Sequence, residues 1–176
     1  MTGMWRLITL AIVTVALTGM AAPERESGPT PPRATGPQEA TVVAVGVNQA
    51  TGQPAVILEG KRDHRRITLA IGLAEATGIA VPLQGVTPPR PLTHDLFLTL
   101  FGRFNVKLTR VVVTDLKDDI YYATVHLTAN GADVTLDSRP SDAIALALRA
   151  KVPVLVEDRV FDKGARDEPA RARGTI

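Results

Sequence analysis

The chain contains no cysteine. This absence excludes a disulfide framework, a thiolate metal site, a cysteine nucleophile and lipid attachment at an N-terminal cysteine. An excess of charge of one sign is missing as well, because residues 40–162 hold thirteen Lys and Arg against thirteen Asp and Glu, a difference of zero. A nucleic-acid binder normally carries a basic stripe, since phosphate contacts supply most of its sequence-independent affinity. The sequence shows no such stripe.

The common catalytic and binding motifs are also missing. The sequence has no phosphate-binding loop, no dinucleotide fingerprint, no nucleophile elbow, no HExxH motif and no calcium loop. No segment of 20 to 50 residues repeats. The 176 residues, 45% hydrophobic and 22% charged, have the composition of one globular domain. Any functional site must therefore be assembled from scattered side chains.

Both ends of the chain predict segments outside the folded domain. Residues 1–6 are basic, residues 7–17 are apolar or threonine, and small residues follow up to Ala22. This pattern predicts a signal peptide at 1–22 and a periplasmic or secreted protein. If the segment is not cleaved, the protein is instead membrane-anchored and faces the periplasm. Composition predicts a disordered linker at 23–38 and a disordered tail at 163–176.

The remaining residues, 39–162, predict a single α+β domain. Seven strands are predicted from the alternation of apolar and polar residues and from turn signals such as Asn130-Gly131. They cover 41–47, 55–58, 66–71, 108–116, 120–129, 133–137 and 154–156. Three helices are predicted. The first covers 73–81 and ends before Pro82, the second begins at Thr93 as its N-cap, and the third begins near Arg139. This order favours a mixed, mainly antiparallel sheet with three helices packed on it.

The most informative segment is Arg139-Pro140-Ser141-Asp142, which is followed by AIALALR at 143–149. Proline is favoured at the first helical position, and Asp142 in the first turn suits the positive end of the helix dipole. The alanines leave little bulk, so that the helix can lie close against a sheet. The pattern therefore predicts a buried helix with a polar start.

RPSDAIALALR at 139–149 resembles the signature of the bifunctional nuclease domain family, and PPRPLTHDL at 88–96 resembles that family's other recurrent motif. The residues Ile71, Gly72, Glu75 and Ala76 are similar to a third block, so the likeness runs from about residue 41 to 161. The resemblance implies an α+β fold, a homo-oligomer, and the DNase and RNase activity reported for some members. It also implies nucleic acid as a partner.

Candidate site residues were chosen from these motif positions, which lie at helix starts or strand ends. Helix starts favour anions such as phosphate. Hydrolysis needs a water molecule activated either by a base such as His94 or by a metal ion held on carboxylates, and Mg²⁺ and Mn²⁺ prefer such oxygen ligands. The expected roles are catalysis by Glu75, His94 and Asp142, substrate binding by Arg90, Arg139 and Ser141, and metal binding by Asp95 and Asp137.

Each of these side chains also has a structural interpretation. His94, Asp95 and Asp142 are typical of helix starts as capping groups. Arg139 is equally explained as an ion pair that fixes its helix, and Glu75 on an apolar helix needs a partner, either Arg90 or Arg139. The alternative function is a non-catalytic oligomeric module that binds an anionic ligand or a protein partner through the same polar cluster. The zero net charge favours this alternative.

Overall fold

The computed structural model of the chain describes residues 35–49 and 52–173, with side chains described up to residue 165. The predicted signal peptide and residues 23–34 of the predicted linker lie outside these ranges. None of the helices in the described ranges is long and apolar enough to cross a membrane.

The described ranges contain seven strands and four helices. In chain order these are β1 (Gln38–Val47), β2 (Pro54–Gly60), β3 (Arg66–Ala70), α1 (Leu73–Leu83), α2 (Thr93–Arg103), β4 (Val106–Lys117), β5 (Ile120–Ala129), β6 (Ala132–Ser138), α3 (Pro140–Ala150), β7 (Val154–Val156) and α4 (Asp158–Arg173). The boundaries of α1 and α2 differ slightly from the prediction. Pro82 lies inside the last turn of α1, and Leu92 rather than Thr93 is the N-cap of α2.

The strands form one sheet in the order β3-β2-β1-β7-β4-β5-β6. All neighbours are antiparallel except β4 and β7, which run parallel with Val111 opposite Val154. The Tyr121 hydroxyl on β5 donates to the Thr68 carbonyl on β3 at 3.5 Å, although these strands are five places apart in the sheet. The sheet is therefore strongly curved around the core, and the α+β class and the mixed, mainly antiparallel sheet agree with the prediction.

Helix α3 is the most deeply buried helix of the described domain. Seven of its eleven residues are buried, namely Pro140, Ser141, Ala143, Ile144, Ala145, Leu146 and Ala147. Pro140 occupies the first helical position and Arg139 is the N-cap, as predicted. The small alanines let the helix lie close to β4 and β5. The start of α3 is thereby held at a fixed place beside the sheet.

The prediction of three helices is wrong, because a fourth helix, α4, begins at Asp158 and continues through the region predicted to be a tail. Its first turn carries Val160 and Phe161, which are fully buried in the core. The Lys163 ammonium then donates to the Asp115 carboxylate at 2.7 Å. The segment after residue 162 shows no amphipathic stripe in sequence, so the contacts of its first two turns stabilise a helix that the pattern did not predict.

An ion-pair network holds the start of α4 against the β2–β3 connection. The Arg65 guanidinium lies 2.6 Å from Asp158, 2.8 Å from Asp63 and 4.8 Å from the centre of the Phe161 ring. The buried Gln38 amide donates to Asp63 at 3.1 Å. Burial alone would raise the pKa of Asp63, but hydrogen bonds from the Arg65 backbone, Gln38 and the Arg65 guanidinium lower that pKa to about 2.

This lowered pKa predicts how stability depends on acid. The stabilisation from Asp63 is complete above its ordinary pKa of 3.8 and is lost as the pH falls towards about 2. Asp63→Asn is expected to lower the free energy of unfolding at pH 7 by about 1–2 kcal/mol, after allowance for solvent screening, and to flatten its decline between pH 4 and 2. Urea unfolding at several pH values measures both effects. Asp118→Asn, in an exposed turn, serves as control, and an equally steep acid decline in Asp63→Asn contradicts the assignment.

Candidate functional site

The starts of three helices bring four polar side chains together. The Arg139 guanidinium before α3 donates to Glu75 of α1 at 2.8 Å and to Asp142 of α3 at 2.7 and 3.1 Å. His94 of α2 places Nε2 3.4 Å from Asp142 Oδ1. We call Glu75, His94, Arg139 and Asp142 the polar cluster. Of the two partners expected for Glu75, the structure shows Arg139.

Two glycines make room for the polar cluster. A Cβ on Gly72, the N-cap of α1, would lie 2.3 Å from Glu75 Oε2, so glycine is required for this position of the carboxylate. A Cβ on Gly78, in the middle of α1, would lie 3.0 Å from His94 Cε1. Glycine at 78 therefore lets α1 pack directly against the imidazole ring, which is mostly buried.

The charges in the polar cluster stabilise one another. Burial alone would raise the pKa of Asp142, but the hydrogen bonds and charge of Arg139, with a smaller effect of His94, lower it. The pKa of Arg139 is raised, first by its hydrogen bond to Asp142 and also by Glu75. Asp142 is therefore ionised and Arg139 positively charged throughout the neutral range.

One end of an apolar cavity opens onto the polar cluster. The cavity has a volume of about 320 Å³ and is lined by Thr93, His94, Phe97, Phe101, Val125, Leu136, Asp137, Ser138, Asp142 and Leu146. The Phe97 and Phe101 rings meet edge to face, with their centres 6.1 Å apart. We call this space, with Phe97 and Phe101 in its wall, the base cavity. Its volume falls in the range of pockets that hold small ligands.

A second polar group, next to the polar cluster, ties the three helices together. Arg149 of α3 donates to Asp95 of α2 at 2.8 Å, to the Gly78 carbonyl of α1 at 2.6 Å and to the Ala145 carbonyl at 3.0 Å. The other oxygen of Asp95 accepts from the Leu92 backbone N–H at 2.8 Å. Burial alone would raise the pKa of Asp95, but the Leu92 and Arg149 hydrogen bonds lower it. Asp95 therefore has the capping role that its position at a helix start allowed.

The two predicted metal ligands do not come together as a site. Both oxygens of Asp95 are already bound to protein donors. Asp137 is exposed at the end of β6, opposite Thr124, and directly paired residues share one face of a sheet. The next pair, Val125 and Leu136, lies on the face that lines the base cavity, so Asp137 borders the cavity while its side chain lies on the other face of the strand. Among the described residues, no group of three or more His, Asp or Glu side chains is placed to hold a metal ion.

The other predicted substrate-binding residues differ in their placement. Arg90 is exposed in the loop before α2 and makes no contact with the polar cluster in the part of the chain that the structure describes. Ser141 is buried in the first turn of α3. Of the three residues predicted to bind substrate, Arg139 is the one that joins the polar cluster.

The sequence did not indicate the role of Arg149, nor that Phe97 and Phe101 form a wall of the base cavity. The side chain of Arg149 is only 7% exposed, and a charged residue at the end of a helix built from Ala, Ile and Leu was itself a signal that a partner was needed. Phe97 and Phe101 are four residues apart, a spacing typical of the apolar side of any amphipathic helix, and it gives no indication that they line a cavity.

Comparison with known proteins supports the resemblance found in the motifs. The model of the bifunctional nuclease domain matches residues 56–168, more than half of the chain. An uncharacterized protein of Mycobacterium tuberculosis is 39% identical over 123 residues, which cover 70% of this chain and 73% of that protein. Bifunctional nuclease 1 of Oryza sativa subsp. japonica is 30% identical over 111 residues, which cover 60% of this chain and 33% of the rice protein. The chain belongs to the bifunctional nuclease domain family.

Proposed function

We propose that the protein hydrolyses phosphodiester bonds of DNA or RNA at the polar cluster. The observation that carries this proposal is the pairing of His94 with an ionised Asp142 beside an exposed, charged Arg139. Relatives in rice that bear the name bifunctional nuclease support the reaction class.

The spacing of His94 and Asp142 suits activation of water. Their separation of 3.4 Å is longer than a direct charged hydrogen bond of about 2.7–2.9 Å. In the tautomer of His94 that carries its hydrogen on Nδ1, Nε2 and the Asp142 carboxylate are both acceptors, and a water molecule that donates one O–H to each keeps a lone pair free to attack phosphorus. His94 Nε2 then takes the proton of this water as general base, and the Asp142 carboxylate stabilises the imidazolium that forms. As the new P–O bond forms, the P–O bond to the departing nucleotide breaks, and the imidazolium returns the proton to the leaving oxygen.

Arg139 is suited to hold the phosphate. A guanidinium has five N–H donors, and the contacts with Glu75 and Asp142 use three of them. The side chain is 65% exposed, so the remaining two donors are accessible to the phosphate oxygens. Glu75 and Asp142 thus position Arg139 while it neutralises charge on the phosphoryl group. Because Asp95 and Asp137 do not fit the predicted Mg²⁺ or Mn²⁺ site, no step is assigned to a metal.

The test is to incubate the protein with plasmid DNA and with single-stranded RNA, in Mg²⁺, in Mn²⁺ and in chelator. We expect cleavage by the wild type, and loss of cleavage in Glu75→Ala and Asp142→Ala with thermal unfolding close to that of the wild type. Cleavage that persists in every such variant points to a contaminating nuclease. The non-catalytic oligomeric module, which binds an anionic ligand or a protein partner through the polar cluster, then becomes the better explanation.

Export is a separate part of the proposal and rests on residues 1–22. A periplasmic or secreted protein is supported by the basic, apolar and small-residue pattern of that segment. Mass spectrometry of the mature N-terminus tests it. A mature chain that begins near Ala22 supports cleavage, whereas an intact N-terminus supports the membrane-anchored alternative.

Self-association is likewise proposed, through the outer face of α2. Leu96, Leu100 and Phe104 follow one another at a spacing of four residues and are 53%, 52% and 70% exposed. Monomeric proteins rarely expose a continuous apolar stripe of this kind. Light scattering of the protein in solution tests the homo-oligomer, and a monomeric mass at micromolar concentration contradicts it.

A further inference from the structure

The base cavity is apolar along its walls and polar at one end. Phe97, Phe101, Val125, Leu136 and Leu146 give its walls an apolar surface. Its polar side chains lie at the end that meets the polar cluster, and they are those of Thr93, His94, Ser138 and Asp142. A ligand that fills the cavity therefore needs an apolar, flat part for the walls and a charged part for Arg139.

A phosphodiester group cannot occupy the apolar part without losing its hydration, which is costly for a charged group. The phosphate is thus confined to the polar end, next to Arg139 and the His94–Asp142 pair. In a nucleotide, the part that is attached to this phosphate through the sugar and fits apolar, aromatic walls is the nucleobase. Phe97 is 50% exposed, so part of its ring is accessible from solvent, and bases stack on aromatic rings with little dependence on sequence.

We infer that the base cavity receives the base of an unpaired nucleotide, so that the substrate of the proposed nuclease is single-stranded nucleic acid or an unpaired segment. This inference rests on the proposed function. A base inside a duplex is stacked and paired, and it reaches a pocket only after it leaves the helix, at a cost in free energy. The cavity therefore disfavours intact duplexes.

The charge of the domain agrees with this substrate class. Binding to duplex backbone requires many phosphate contacts from Lys and Arg, and residues 40–162 have equal numbers of basic and acidic residues. Stacking of an unpaired base adds affinity that does not depend on a basic surface.

The experiment measures binding and cleavage of labelled 12-nucleotide single-stranded DNA, single-stranded RNA and a blunt DNA hairpin of equal nucleotide number, whose fully paired stem is closed by a non-nucleotide linker. Fluorescence anisotropy in chelator gives the affinities, with cleavage during the measurement checked on gels. The wild type is expected to bind either single strand at least about 10-fold more tightly than the hairpin. Phe97→Ala is expected to weaken single-strand binding by about 5- to 100-fold.

Tyr122→Ala is the matched control. Tyr122 is an aromatic side chain with 40% exposure on β5, on the opposite face from Ala123 and Val125, so its removal should change affinity less than two-fold. Thermal unfolding verifies that both variants are folded. Equal binding of hairpin and single strands, equal effects of the two substitutions, or no measurable binding of any probe overturns the inference.

The two proposals fail in different ways. If single strands bind through Phe97 but the wild type cleaves none of the substrates, the base cavity stands and the nuclease proposal fails. If the wild type cleaves and Phe97→Ala lowers cleavage of single strands and hairpin by the same factor, the nuclease proposal stands and the base cavity fails. A preference for RNA over DNA among the single strands would identify a contact with the 2′-hydroxyl.

Discussion

His94→Gln is expected to lower the rate of phosphodiester cleavage by about 100- to 10,000-fold, the usual contribution of a general base. Glutamine keeps a polar group beside Asp142, but its amide does not accept a proton as an imidazole does. Because Arg139 and the base cavity remain in place, KM should change much less than kcat. Initial rates on a labelled single-stranded oligonucleotide separate the two parameters.

The control for this variant is His126→Gln. His126 contacts Arg110 at 3.1 Å, and on β5 it lies on the face away from Ala123 and Val125. Burial and the charge of Arg110 lower the pKa of His126. Both variants replace a partly buried imidazole by glutamine, but only His94 belongs to the polar cluster. His126→Gln should retain cleavage within two-fold. A His94→Gln enzyme that is folded and cleaves at the wild-type rate would remove the general base from the mechanism.

Much of the fold could be predicted because the signals are local. Pro140 and Asp142 define a helix start through the geometry and dipole of a first turn, and the alternation in β5 follows from a sheet with one buried face. The fourth helix could not be predicted in this way. Its apolar residues, Val160 and Phe161, occupy a single turn, and the rest of the helix is polar. The contacts that fix it, such as Lys163 with Asp115, join residues far apart in sequence.

For the site as well, the residue types could be predicted from the sequence, but their partners and orientation could not. The family motifs indicated Glu75, His94, Arg139 and Asp142, which the fold brings together. Sequence did not reveal that Asp95, the immediate neighbour of His94, turns to Arg149 instead. Nor did it reveal the face of Asp137, since one residue of register in β6 decides which side of the sheet a side chain occupies. Partner choice and register are tertiary properties, which residue types at a given spacing do not determine.

Arg149→Met is expected to lower the free energy of unfolding by about 2–3 kcal/mol, and the melting temperature by roughly 10 °C. Methionine preserves most of the apolar stem, but it removes the donors to Asp95 and to the carbonyls of Gly78 and Ala145. This loss of unfolding free energy is at the lower end of the range for breaking a buried ion pair, because the Asp95 side chain is 34% exposed and its carboxylate can be hydrated once Arg149 is gone. In addition, Nη2 of Arg149 is buried without a hydrogen-bond partner among the described residues, and methionine relieves that cost.

Two further variants separate this role of Arg149 from a general effect of losing an arginine. Arg159→Met removes an exposed arginine that donates to the Thr114 carbonyl at 2.8 Å, and its cost should stay below about 1 kcal/mol. Asp95→Asn should destabilise the wild type more than it destabilises Arg149→Met, because the ion pair is already absent in the latter. Additive effects in this double-mutant cycle would contradict the pairing. Since Arg149 joins α3 to the carbonyl of Gly78, the residue that packs on His94, the polar cluster depends on this bond for the position of its imidazole.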